Sequence, residues 1–127
     1  MTTVTPSARP GLATAHRALA YVMPALVLVQ AAIAGQHLFE GTSISIHGML
    51  GELTFALTLV GVALAWIRRS VGLVFFTAVG LMALAFAQVG LGFVGRDTSA
   101  AAAWHIPVGV AIFGLTTYQL ALLTRRP

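Results

Sequence analysis

Four stretches of mainly apolar residues divide this chain: about Ala18 to Leu38, Ile46 to Ile67, Val71 to Val94, and Trp104 to Thr124. Each has the ~20 residues needed to cross the hydrocarbon core of a bilayer. A segment in oil must satisfy its backbone polar groups internally, which points to helices. Four spans occupy nearly all 127 residues, so residues 1–127 read as a single transmembrane domain. Short connections make sequence neighbours antiparallel. The expected fold is therefore all-α, an integral membrane four-helix bundle with up-down-up-down order.

Composition supports this solvent and removes several function classes. The chain is 58% hydrophobic and 8% charged, with a mean hydropathy of +0.93, far from the balance of a soluble domain. The absence of cysteine excludes disulfides, thiolate-held metals and iron–sulfur clusters. All seven basic residues behind the net charge of +4 are arginines. A nucleic-acid partner would require them to cluster on a soluble face, whereas they stand at helix ends. The lack of lysine beside abundant alanine suggests a GC-rich bacterial genome, and hence the bacterial cytoplasmic membrane, with lipid as the first partner.

Orientation follows from the arginines. Arg9 and Arg17 precede the first span, Arg68 and Arg69 separate the second from the third, and Arg125 and Arg126 follow the fourth. The positive-inside rule places these ends, including both termini, in the cytoplasm. The two opposite loops carry Glu40, Arg96 and Asp97, without a basic excess, and should face outward. Trp66 and Trp104 fall near opposite interfaces, where aromatic belts form.

Sliding the sequence on itself by 58 positions pairs Gln30 with Gln88, His47 with His105, Gly51 with Gly109, Phe55 with Phe113, Thr58 with Thr116, and Arg68 with Arg126. Apolar identities are cheap in this composition; a common offset for two histidines and two glutamines is not. The expectation is two tandem two-helix repeats, about 18–69 and 71–127, related by an axis along the membrane normal. The first span also has signal-peptide features, with Arg17 ahead of an apolar run and Ala32-Ile33-Ala34 as a candidate cleavage site. Its place in the repeat makes it part of the fold.

His47 and His105 lie near the starts of the second and fourth spans, at similar depth. In an up-down bundle these spans are diagonal, so inward-pointing imidazoles would converge across the core. Two facing imidazoles are the axial ligand set of a bis-histidine heme. Gly51 and Gly109 stand one turn deeper on the same faces, where a missing side chain would leave space for a macrocycle. Ala34 and Gly92, four residues after Gln30 and Gln88, would let ring edges approach the first and third spans. Small residues at helix contacts and a boundary histidine bonded to a neighbour are the plainer reading. A chlorophyll-type pigment, a bare metal ion or no cofactor are the remaining alternatives, bare metal being disfavoured because two histidines leave most coordination positions empty.

Gln30 and Gln88 lie in the hydrocarbon region, where the simplest expectation is that they bond across the bundle and fix its register. Glu52, with Val110 at its repeat position, is an unpaired acid rotated away from the histidine face. His37, Arg96 and the Thr42-Ser43 loop are candidates to receive heme propionates, and His37 could offer a third nitrogen. His16 and Arg17 are expected at the interface.

These residues resemble the four-helix half-unit of heme A synthase, and also small bacterial four-helix membrane proteins with one histidine in each of the second and fourth helices. The resemblance covers nearly the whole chain and rests on topology, His47, His105 and the glycines after them. It implies heme binding at His47 and His105. The synthase's second bundle has no counterpart in these residues, and Glu40 lies too far upstream to match its acidic motif. The leading expectation is thus a membrane heme b protein, cytochrome b-like, for electron transfer or heme handling with a redox partner or quinone, and not an enzyme by itself. The alternatives are a non-catalytic subunit or scaffold of a larger complex, and a heme- or quinone-modifying enzyme acting as a homodimer.

Overall fold

Four α-helices account for the secondary structure of the computed structural model, which describes residues 10–70 and 72–125. They are α1 (Pro10–Glu40), α2 (Ser45–Ile67), α3 (Leu73–Val94) and α4 (Ser99–Thr124). Each is long and apolar enough to cross a membrane, which makes this a multi-pass membrane protein by helix length and composition. Arg9 and Arg126, used above for orientation and for the repeat, lie outside the described residues.

Two helices begin earlier than hydropathy suggests. Hydropathy marks the part of a helix that suits lipid, not where the hydrogen bonding starts. Helix α1 opens at Pro10, where proline's fixed φ and missing N–H cost nothing in a first turn. Helix α4 opens on a run of alanines ahead of Trp104, the strongest helix formers.

Helix α1 packs on α2 and α4, and α3 packs on the same two. Among the described residues, the pairs α1/α3 and α2/α4 make no backbone-level contact. The helices therefore form a square ring, with α2 diagonal to α4. The core is lean: Ala20, Met23, Leu64, Ala65, Ala78, Leu81, Ala85 and Ile112 are its buried apolar side chains. Many large apolar residues point outward, Phe39, Phe86 and Trp66 among them. This inside-out distribution suits lipid, where helices associate through small residues and close packing, not through burial of bulk.

Buried threonines complete the core without stray polarity. Thr54 and Thr77 donate to the carbonyls of Leu50 and Leu73, one turn back, and Thr58 and Thr116 donate to Phe55 and Phe113. Such bonds turn each hydroxyl onto its own helix. Burial also follows the 58-residue offset: Ala20 with Ala78, Met23 with Leu81, Thr54 with Ile112, Thr58 with Thr116, and Gly61 with Gln119 are buried in pairs.

Candidate cofactor site

Three residues into α2 and seven into α4, at one end of the bundle, the His47 and His105 rings meet across the diagonal. Their centroids lie 5.8 Å apart, with the ring planes inclined at 57°. The α2 and α4 backbones make no close contact among the described residues, so it is the side chains that span the interior here. Both are partly buried.

A backbone carbonyl orients His47. Its Nδ1 lies 3.0 Å from the Gln30 carbonyl oxygen on α1. A carbonyl can only accept, so Nδ1 carries the proton and Nε2 keeps a free lone pair. His105 differs: its Nδ1 is buried with no hydrogen-bond partner. Its own carbonyl accepts from Gln88 Nε2 at 2.9 Å.

The glutamines explain the difference between the halves. Gln30 Nε2 donates to Thr54 Oγ1 at 2.7 Å, joining α1 to α2. In the second half Ile112 stands where Thr54 stands in the first, so Gln88 has no hydroxyl to reach. It turns to the His105 carbonyl, joining α3 to α4, and its Oε1 is left buried and unpaired. Both glutamines thus bond between neighbouring helices.

Glycines lie against both glutamines, closely only in the second half. A Cβ at Gly51 would lie 3.5 Å from Gln30 Oε1, and one at Gly109 would lie 3.1 Å from Gln88 Nε2. The space read from sequence as room for a macrocycle is thus where the glutamine side chains lie. Gly92 has a different neighbour: a Cβ there would stand 3.2 Å from His105 Cε1, so α3 accommodates the imidazole itself. Ala34 is half-buried on α1.

The remaining candidates divide. Arg96 reaches over the start of α2, its guanidinium 4.0 Å from where a Gly48 Cβ would lie, and it stacks on Phe93 at 5.0 Å from the ring centroid. It therefore sits beside the histidine end. His37, in the last turn of α1, bonds the Thr42 carbonyl of the following loop through Nδ1. No group of three or more His, Cys, Asp or Glu is placed to hold a metal ion among the described residues, so His37 does not complete a three-nitrogen set. Glu52 is exposed on the outside of α2.

One histidine defied the expectation from sequence. His16, expected at the interface, is 2% exposed and is among the most buried side chains of the protein. Arg68 Nη1 lies 2.8 Å from its Nδ1. The partner is 52 positions away, so no local signal betrays the pair.

The chain matches no family model, and comparison with curated proteins and with solved structures gave no match.

Proposed function

We propose that this protein binds one b-type heme between His47 and His105 and serves electron transfer or heme handling in the bacterial cytoplasmic membrane. The observation that carries the reading is the pair of imidazoles from diagonal helices, 5.8 Å apart at their centroids. Two metal–imidazole bonds of about 2.0–2.1 Å to one ion would put the ring centroids roughly 6.4 Å apart, so the pair would have to open by about half an ångström. The donor set also fits. His47 donates Nδ1–H to a carbonyl, the arrangement that fixes the tautomer and frees Nε2 in metal-binding histidines. His105 has a buried nitrogen still without a partner. Two imidazoles with no third protein ligand among the described residues suit a cofactor whose own ring supplies the other donors.

In this reading a bound heme would supply one-electron chemistry, while the chain binds, orients and shields it. His47 and His105 would hold it, and Gly92 keeps α3 clear of the His105 ring. Arg96, beside the histidine end, is the cation for propionate carboxylates. The recurring 58-residue offset in both sequence and burial supports two tandem two-helix units. Arg17, Arg68, Arg69 and Arg125 at the opposite end support a cytoplasmic location for that end and for both termini. The histidines would then lie toward the outer face.

The test is an absorption spectrum of the full chain, purified after expression with added heme. A Soret band that shifts on reduction, with one heme per chain, is expected. A colourless protein under heme-replete expression ends the proposal.

A further inference from the structure

At the end of the bundle away from His47 and His105, a cavity of about 10 Å³ lies between Leu19, Met23, Leu57, Thr58 and Gly61, with His16 and Gln119 in its wall. Two polar atoms in that wall have no partner: His16 Nε2 and Gln119 Nε2, in residues 2% and 7% exposed. Both are donors. The Arg68 guanidinium has no lone pair to offer and only donates, so His16 Nδ1, 2.8 Å away, must accept. The imidazole is then neutral with its proton on Nε2. The Gln119 amide nitrogen is a donor as it stands. A buried donor left unpaired is costly, and here two belong to residues that line one small space.

We infer that this cavity is a binding site for a single small hydrogen-bond acceptor, held by His16 Nε2–H and Gln119 Nε2–H. Among the described residues no side-chain carboxylate lies near these two donors, because Glu40, Glu52 and Asp97 all belong to the other half of the bundle. Glu52 is 16 residues along α2 from Arg68, roughly 24 Å at 1.5 Å per residue. Thr58 has committed its proton to the Phe55 carbonyl, so its oxygen can only accept. Size selects the guest. A cavity of this volume takes about one water molecule, whereas an organic ring such as a quinone headgroup needs a site of hundreds of Å³. The guest is therefore a water molecule or a halide ion. Water would accept from both N–H groups and donate a hydrogen bond to Thr58 Oγ1. A halide would accept the same two and be drawn by the Arg68 charge behind His16.

The experiment is a crystal structure of the full chain grown in sodium bromide, with diffraction collected at the bromine edge, beside the same crystals grown in sodium gluconate. An anomalous peak bonded to both nitrogens in bromide assigns a halide. Ordered oxygen density there in both salts assigns water. Either supports the site, and Gln119→Leu should then lose the guest while the helices keep their places. An empty cavity, or a Gln119 amide turned so that its oxygen accepts directly from His16 Nε2, overturns the inference. If Gln119→Leu does not crystallise, the wild-type crystals decide alone.

Discussion

His47 and His105 face each other at 5.8 Å although the helices that carry them share no backbone contact. Side chains from opposite corners of a square bundle meet only if the residues between them leave the axis open, and here the neighbouring helices contribute glycines and glutamines at that level. Removing either imidazole should therefore empty the proposed heme site without collapsing the fold. His47→Ala and His105→Ala are each expected to lose most bound heme, measured as the Soret absorbance per chain. His16→Ala, at the other end of the bundle, is expected to retain it. Equal retention in all three variants overturns the ligand assignment.

The glycines beside the glutamines offer a graded test. A Cβ at Gly51 meets Gln30 at 3.5 Å, ordinary contact, whereas one at Gly109 meets Gln88 at 3.1 Å. Alanine in place of a helical glycine otherwise gains about 1 kcal/mol, and overpacking costs about 1–3 kcal/mol. Gly51→Ala should thus match or raise the melting temperature in detergent, and Gly109→Ala should lower it. Identical shifts in the two variants would show that the glutamines move aside without cost.

Thr54 and Ile112 occupy matching places, and the difference between them leaves Gln88 Oε1 buried without a partner. Threonine and valine have nearly the same shape, so Ile112→Thr compared with Ile112→Val isolates a hydroxyl. A buried hydroxyl normally makes the threonine variant the less stable of such a pair. Here the new hydroxyl would have Gln88 Oε1 to donate to, so Ile112→Thr should equal or exceed Ile112→Val in thermal unfolding. Thr54→Val should lose about 1–3 kcal/mol, because it leaves Gln30 Nε2 without its acceptor.

Much of this architecture is legible in the sequence, for a physical reason. Transfer into lipid sums over whole spans, so four apolar runs suffice to count helices, and short connectors force the ring order that puts α2 opposite α4. The level of His47 and His105 also follows from their places near the starts of those spans. Side-chain choices within the site are not legible in the same way. Gly51 and Gly109 look like vacancies along their own helices, and only the neighbouring helix shows that Gln30 and Gln88 enter them. His16 lies outside the apolar run, where a histidine would ordinarily meet headgroups. Buried among the helices, it is bonded by Arg68 at the end of α2, a tertiary contact that no periodicity encodes.

Adjacent arginines at the end of α2 make the last prediction, because they carry equal charge and opposite structural roles. Arg68 donates to the buried His16 Nδ1. Its loss strands an acceptor inside the protein, so Arg68→Ala should destabilise by about 1–3 kcal/mol, with Arg68→Lys recovering part of the loss by restoring a donor. Arg69 is exposed and sits at φ 52°, a left-handed conformation that a side chain disfavours. Arg69→Gly should therefore stabilise, by about 0.5–1 kcal/mol. Thermal unfolding of the three variants in one detergent checks the signs. A common destabilisation for Arg68→Ala and Arg69→Gly would mean that positive charge at this end, and not the bond to His16, is what matters.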